Sequence, residues 1–190
     1  MKIICIENTH DSELSYLTVR SDSSVLRNND NFYMPNFSQK MECSVGYYLR
    51  VTRLAKCINS KFASRCYDTV GVAAAFTAQD VVERNCARGL PCDEAYCFDK
   101  SIALSPDTVT PDTIGEGTLK IAIGEILSAE ISVDELHKLL DSALTQASIL
   151  TTLKTGDIVY IAVKGPIPVA IGNSVEVQLN GAKMLNFEIR

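Results

Sequence analysis

The sequence predicts a β-rich α+β domain, and three observations support this fold class. Alternating apolar residues flank Asn180-Gly181 on both sides, and an Asn-Gly pair in that setting is the strongest short-range signal for a β-hairpin. Residues 69–76 form a continuous apolar run, which is typical of a buried strand. Residues 136–147 instead carry apolar residues at helical spacing. We therefore expect mixed strands with a few short helices.

The other strands follow from short aromatic and β-branched segments bounded by polar residues. Their expected positions, in chain order, are residues 1–6, 16–20, 46–54, 69–76 and 158–163, with a short helix at 61–67.

Two longer helices are predicted from capping signals. Thr77, with Asp80 three residues later, resembles a capping box, and Gly89 ends that helix. This favours a capping role for Asp80 over a catalytic one. Ser132 and Glu135 form a second capping box. The apolar face that follows consists of Leu136, Leu139, Leu140, Ala143, Leu144 and Ala147.

Length and composition limit the class of protein. The chain has 190 residues, of which 46% are hydrophobic and 22% charged, as in an ordinary globular protein, and residues 1–190 are expected to form a single domain. Its formal charge of -5 argues against nucleic acid or an anionic membrane as a partner. No apolar run approaches the roughly 20 residues of a membrane span, and the first strand is too short for a signal peptide. We expect a cytoplasmic protein.

The seven cysteines form an odd set scattered over mostly apolar segments. Such a pattern differs from the disulfide framework of a small secreted protein. We expect buried, reduced thiols.

Several segments resemble the fumarylacetoacetate hydrolase family. Residues 71–80 (GVAAAFTAQD), 89–92 (GLPC) and 96–100 (YCFDK) are similar to the family's strand motif GVGIDFTARD, its GLPW loop and its KGFDG motif. Residues 25–38 and 153–160 fit the family's entry to the active site and its turn into the last strands. The likeness covers nearly the whole chain. It implies the family's mixed β-roll or barrel, a homodimer, and hydrolase or isomerase activity.

The resemblance also implies a metal site whose ligands this sequence lacks. Family members hold Mg²⁺, Mn²⁺ or Ca²⁺ with a Glu-x-Glu strand motif and the aspartate of the GVGIDFTARD strand, and the metal polarises an oxo-acid or 1,3-dicarbonyl substrate. On this sequence the two glutamates align with Ser44 and Gly46, and the aspartate with Ala75. The family's arginine and lysine are replaced by Gln79 and Tyr96. We therefore expect no cofactor, no metal ligand and a degenerate pocket at these five positions.

The leading hypothesis is thus a catalytically degenerate family member that retains small-molecule or partner binding. An alternative is an active hydrolase, isomerase or decarboxylase of a 2-oxo or 1,3-dicarbonyl acid, with metal ligands relocated to His10, Glu7 or Glu13. A third hypothesis is an interaction protein that pairs with an intact relative. Weak catalytic candidates are His10 and Asp99.

A cysteine-based site is a further alternative. Cys43 lies beside a lost ligand position, and Cys92 and Cys97 fall on the loop that should close over the substrate. A thiol nucleophile needs a nearby base, and no histidine is evident. Packing therefore explains these residues more simply.

Overall fold

The computed structural model describes residues 1–8, 15–111 and 117–190. Strands are the commonest regular structure in the described chain. In chain order these are β1 (Lys2–Asn8), β2 (Ser15–Ser21), β3 (Val25–Leu26), β4 (Met41–Val51), β5 (Tyr67–Ala78), β6 (Ile102–Leu104), β7 (Gly117–Ile123), β8 (Leu127–Val133), β9 (Ile158–Val169), β10 (Ser174–Leu179) and β11 (Ala182–Glu188).

Two α-helices accompany the strands, α1 (Gln79–Ala87) and α2 (Leu136–Leu150). Short 3-10 helices occupy Asp22–Ser24, Ser60–Cys66 and Asp93–Ala95. Within the described part of the chain, no helix is both long and apolar enough to cross a membrane.

The larger sheet has seven strands in the order β2-β1-β9-β4-β5-β6-β3 and curls into a half-barrel. Its centre is antiparallel, with β4 paired to both β5 and β9. The pairs β1–β9 and β3–β6 are parallel. The β-rich α+β class predicted from the sequence is therefore confirmed.

The two faces of this sheet pack against different partners. One face carries Ile3, Cys5, Tyr48 and Tyr160, which form a buried cluster with small residues such as Ala73. Small side chains beside large ones allow the interior of a curled sheet to be filled without crowding. The opposite face contributes to the main core, together with α2 and the second sheet.

The second sheet is an antiparallel four-strand array in the order β11-β10-β7-β8. The predicted hairpin at Asn180-Gly181 is confirmed: it joins β10 to β11, and both turn residues have positive φ, 49° and 84°. Positive φ at both positions is what a type I′ turn requires. The β7–β8 hairpin was not predicted.

Both predicted capping boxes are wrong. Thr77 belongs to β5, which continues to Ala78, and Ala78 precedes α1 without a side-chain cap. Asp80 instead accepts hydrogen bonds from Ser38 Oγ at 2.7 Å and from the Gln39 N–H at 2.9 Å. The carboxylate therefore ties a loop to the start of α1.

At the second predicted box, Ser132 lies in β8 opposite Thr118, and α2 begins only at Leu136. Strand pairing overrides the local capping preference at both sites. The predicted apolar face of α2 is confirmed, with Leu140 and Leu144 buried.

Candidate active-site cavity

A cavity of about 250 Å³ opens at one end of the half-barrel. Its walls come from the end of β1, the start of β4, the end of β5 and the second half of β9, with α1 beside them. The lining residues are Glu7, Tyr16, Glu42, Cys43, Ser44, Thr77, Gln79, Val82, Tyr96, Ala162, Gly165 and Pro166.

Strand alternation explains why the polar residues converge. Successive residues of a strand point to opposite faces, so Glu42 and Ser44 on β4 share one face. Across the ladder they pair with Thr77 and Ala75 on β5. Two neighbouring strands thus place a carboxylate and two hydroxyl groups at the cavity.

Glu7 lies beside this group and is held by a buried ion pair. Arg20 Nη2 donates to Glu7 Oε1 at 2.9 Å, and the two side chains are 0% and 3% exposed. The other carboxylate oxygen, Oε2, accepts a hydrogen bond from Ser44 Oγ at 3.2 Å. Both Glu7 oxygens therefore have protein partners, which compensates for burying the charge.

Arg20 also connects opposite edges of the curled sheet. It lies on the edge strand β2, yet its Nη1 donates to the carbonyl oxygens of Phe76 at 2.9 Å and Ser101 at 2.6 Å, on and beside β5 and β6. The guanidinium thus closes the open side of the half-barrel beneath the cavity. Its fork of donors suits this role because it serves three acceptors at once.

Three tyrosines around the carboxylates remain protonated at physiological pH. Tyr160 donates to Ser44 Oγ at 3.2 Å, and burial raises the pKa of its phenol well above the usual value. Burial and the Glu7 charge raise the pKa of Tyr96 to about 12. The same two causes raise the pKa of Tyr16. The phenols of these residues are therefore neutral hydrogen-bond donors.

The structure brings only some of the predicted site residues together. Ser44, Gln79 and Tyr96 line the cavity, whereas Gly46 and Ala75 are not among its lining residues. Ala75 is buried inside the half-barrel. Gly46 lies against β9, where an added Cβ would come 1.9 Å from the Ile161 carbonyl oxygen.

The two catalytic candidates are not part of the described cavity. Asp99 lies in an exposed turn and is not a lining residue. His10 falls outside the described residues.

Sequence reasoning missed Glu42. Glu42 and Ser44 are two residues apart on β4, so their side chains share one strand face, and both line the cavity. This strand therefore contributes one glutamate to the cavity. The spacing is visible in the sequence, but only the structure shows which face of β4 meets the cavity.

Arg20 was missed as well. Nothing in the local sequence distinguishes a buried arginine at the end of a strand from an exposed one. Its acceptors, Phe76 and Ser101, are 56 and 81 residues away in the chain.

The carboxylates offer a partial fit to a divalent cation. Glu7 and Glu42 supply hard oxygen atoms, which such cations prefer. Among residues 1–8, 15–111 and 117–190, however, no group of three or more His, Cys, Asp or Glu side chains is arranged to hold a metal ion. The Arg20 guanidinium also lies 2.9 Å from Glu7 and already neutralises that carboxylate.

No protein-family model and no curated protein matches the sequence. Solved structures do match it. The fumarylpyruvate hydrolase from Pseudomonas aeruginosa, solved in complex with Mn²⁺ and pyruvate, has a TM-score of 0.85 at 14% identity over 100% of this chain and 89% of that one.

Two further solved structures match nearly the whole chain. A protein from Yersinia pestis CO92 assigned to the fumarylacetoacetate hydrolase family has a TM-score of 0.81 at 19% identity over 100% of this chain and 92% of that one. The 5-carboxymethyl-2-hydroxymuconate delta-isomerase from Mycobacterium smegmatis has a TM-score of 0.79 at 15% identity over 99% of this chain and 78% of that one.

These comparisons correct the prediction that the protein uses no cofactor. The fumarylpyruvate hydrolase has this fold and is solved with Mn²⁺, which points to a metal cofactor. The prediction considered only Ser44 and Gly46 on this strand and left out Glu42, which lines the cavity. With Glu42 and Glu7 the cavity keeps two carboxylates. The similarity extends over the whole chain at the level of structure, and we conclude that this chain has the fold of the fumarylacetoacetate hydrolase family.

Proposed function

We propose that this chain is a catalytically degenerate member of the fumarylacetoacetate hydrolase family that retains a ligand-binding cavity. The observation that carries the proposal is the pairing of Ser44 with Ala75 on neighbouring strands. The resemblance places family carboxylates at these two positions, and here neither side chain is charged. The three-carboxylate arrangement of the family is therefore incomplete, and we infer that the hydrolase or isomerase activity is lost with it.

The Arg20–Glu7 pair supports the same proposal. A guanidinium 2.9 Å from the carboxylate supplies in permanent form the positive charge that a bound cation would otherwise provide. In a buried site the positive charge of Arg20 weakens the attraction of Glu7 for a metal cation. Arg20 also cannot lose its proton in a protein, so the effect persists at every accessible pH.

The lining indicates which ligand the cavity favours. Glu7 and Glu42 are acidic, Tyr16 and Tyr96 contribute aromatic rings, and among the residues that the structure describes no lysine or arginine lines the cavity. The carboxylate oxygens of Glu42 would contact a ligand that carries a hydrogen-bond donor or a positive centre. Tyr96 and Gln79 would then bind the organic part of a ligand.

A combined binding and turnover experiment tests the proposal. We would titrate the protein with Mn²⁺ and Mg²⁺ while following its thermal unfolding, and assay acylpyruvate hydrolysis at each concentration. A cation that binds only the native state stabilises it by about 2.7 kcal/mol at 100 times its dissociation constant, so binding would appear as a higher unfolding temperature. The proposal expects no turnover at any cation concentration. Turnover that disappears on chelation would overturn it.

A second candidate function is an active hydrolase, isomerase or decarboxylase of a 2-oxo or 1,3-dicarbonyl acid with relocated ligands. The observation that favours it is the presence of Glu7 and Glu42 in one cavity. It expects turnover in the wild type and its loss in Glu42→Gln. Glu125→Gln, at an exposed turn position, is the matched control and should keep full activity. No turnover in the wild type would exclude this candidate, and turnover unaffected by Glu42→Gln would exclude Glu42 as a ligand.

We further propose a cytoplasmic homodimer. The family resemblance supports the dimer, and the seven free cysteines support a reducing compartment. Light scattering after size exclusion should give twice the chain mass of 20.8 kDa. A monomer would contradict the proposal, and a heavier species containing an active family member would favour a mixed dimer instead.

A further inference from the structure

We propose that Cys86 and Cys92 form a reversible disulfide, a redox modification site between helix α1 and the segment that leads to Tyr96. The two sulfur atoms lie 3.6 Å apart, in van der Waals contact. A disulfide requires about 2.05 Å between the sulfur atoms, so they must approach each other to form the bond. This inference stands independently of the proposed function.

The backbone that carries the two thiols is already arranged for the bond. Cys86 lies in the last turn of α1, and the chain reverses at Gly89, whose φ is +67°. The N–H of Leu90 donates to the Asn85 carbonyl oxygen at 2.9 Å. Because this turn is hydrogen-bonded back to the helix, Cys92 returns alongside Cys86.

Asn85 fixes the returning segment further. Its side chain is 4% exposed, and its Nδ2 donates to the Pro91 carbonyl oxygen and to Glu94 Oε1, each at 2.9 Å. Arg84 Nη2 donates to the same Glu94 oxygen at 2.7 Å. The two sulfur atoms are therefore held close without a bond between them, which lowers the entropic cost of forming one.

The neighbouring cysteine does not share this arrangement. Cys97 Sγ accepts a hydrogen bond from the Ser21 N–H at 3.4 Å and lies 3.9 Å from Ser24 Oγ. It therefore faces the edge of β2, whereas Cys92 contacts α1 through the Val82 carbonyl oxygen at 4.0 Å. The disulfide should therefore join Cys86 to Cys92 and not to Cys97.

The order of the chemical steps follows from exposure. Cys86 is exposed and Cys92 is half-buried. Burial, the hydrogen bond with Cys86, and the charges of Asp93 and Glu94 raise the pKa of the Cys92 thiol. Cys86 is therefore the sulfur that first reacts with an oxidant, and Cys92 completes the bond.

With a hydroperoxide as the oxidant the reaction balances. The Cys86 thiolate attacks the peroxide, its O–O bond breaks, and Cys86 becomes a sulfenic acid while an alcohol or water leaves. Cys92 then attacks the sulfenic sulfur, the S–S bond forms, the S–O bond breaks and water leaves. Two thiols thus give up two protons and two electrons to one hydroperoxide.

The bond would affect the cavity because it joins two parts of its wall. Gln79 and Val82 on α1 line the cavity, as does Tyr96 just beyond the Asp93–Ala95 helix. A covalent link from Cys86 to Cys92 restricts motion between these two parts. Oxidation should therefore slow hydrogen exchange of the backbone amides at residues 92–96.

Peptide mapping tests the proposal directly. We would treat the folded protein with hydrogen peroxide, block the remaining thiols and digest with trypsin. Cleavage after Arg84, Arg88 and Lys100 places Cys86 and Cys92 on separate peptides, 85–88 and 89–100. We expect these two peptides to be linked, with a mass lower by two hydrogen atoms, and the link to be released by dithiothreitol.

Matched variants identify the partner, because peptide 89–100 also contains Cys97. Cys97→Ser should retain the link, and Cys92→Ser should abolish it. Oxidation should remove two titratable thiols per chain in the wild type and in Cys57→Ser, a control at another exposed cysteine. A link that survives Cys92→Ser, or peroxide treatment that leaves the two peptides separate, would overturn the proposal. Circular dichroism of each variant before oxidation would establish that it is folded.

Discussion

Arg20 and Glu7 form a buried ion pair, with Arg20 Nη2 2.9 Å from Glu7 Oε1. Arg20 Nη1 donates to the carbonyl oxygens of Phe76 and Ser101 across the open side of the half-barrel. One guanidinium therefore links the first hairpin of the chain to β5 and β6. The same guanidinium compensates the charge of Glu7, which lines the cavity.

Replacing Arg20 with methionine should strongly destabilise the protein. The change leaves the Glu7 carboxylate buried without its charged partner and removes the Arg20 donor from the Phe76 and Ser101 carbonyl oxygens. Breaking a buried pair in this way costs about 3–5 kcal/mol. Urea unfolding followed by circular dichroism measures the loss in the free energy of unfolding.

A double variant separates the charge effect from the packing effect. Glu7→Gln combined with Arg20→Met removes the uncompensated charge, so it should be more stable than Arg20→Met alone. Lys40→Met, which breaks the exposed pair with Glu83, is the surface control and should change stability far less. A double variant no more stable than Arg20→Met would contradict this account of the pair.

The free energy of unfolding should fall at acid pH because the Asp157 carboxylate becomes protonated. Although burial acts to raise it, hydrogen bonds from Lys2 and the Lys154 N–H lower the pKa of Asp157 below its usual value of 3.8. A depressed folded-state pKa means that Asp157 stabilises the fold fully above the unfolded value, and that this contribution disappears as pH falls through the lower, folded value.

Asp157→Asn should therefore lose about 1.5–3 kcal/mol at pH 7, the contribution of hydrogen bonds to a charged group. Its stability should also decline less than that of the wild type between pH 5 and pH 2. Urea midpoints measured across that range provide the comparison. Asp99→Asn, at an exposed turn, is the control and should keep the wild-type pH dependence. Equal slopes of the urea midpoint against pH for Asp157→Asn and the wild type would contradict this role of Asp157.

Gly46→Ala should disrupt the centre of the large sheet. A Cβ at this position would lie 1.9 Å from the Ile161 carbonyl oxygen, so β4 and β9 would have to separate. We expect a loss of about 3 kcal/mol or more in the free energy of unfolding. Gly156→Ala is a useful contrast, because its Cβ would meet nothing within 4 Å and only its φ of +89° is strained, at a cost of about 1–2 kcal/mol. Equal losses in the two variants would contradict this explanation.

Leu144→Ala should create a cavity under α2. Leu144 is 0% exposed, whereas Leu150 at the end of the same helix is 53% exposed. A buried Leu→Ala change costs about 2–5 kcal/mol, while Leu150→Ala should stay within about 0.5 kcal/mol of the wild type. Thermal unfolding of both variants measures the difference, and a Leu150→Ala loss as large as that of Leu144→Ala would contradict the packing of α2.

The predictions that succeeded depend on local patterns. The Asn180-Gly181 hairpin follows from the positive φ that both residues adopt, and the buried face of α2 follows from the spacing of residues such as Leu140. The capping boxes at Thr77 and Ser132 failed because both residues pair in strands, to Glu42 and Thr118. A capping hydrogen bond is worth about 1 kcal/mol, which a continued ladder and burial in the sheet can exceed.

The sequence by itself determined the β-rich fold class, the chemical character of the cavity strands and the absence of carboxylates at Ser44 and Ala75. Only the tertiary structure decided that Glu42 lies at the cavity, because strand register depends on which residues face each other across β4 and β5. Only the tertiary structure placed Arg20 against Glu7, Phe76 and Ser101. These contacts join segments far apart in the chain, and no local pattern specifies which distant acceptors a buried charge will reach.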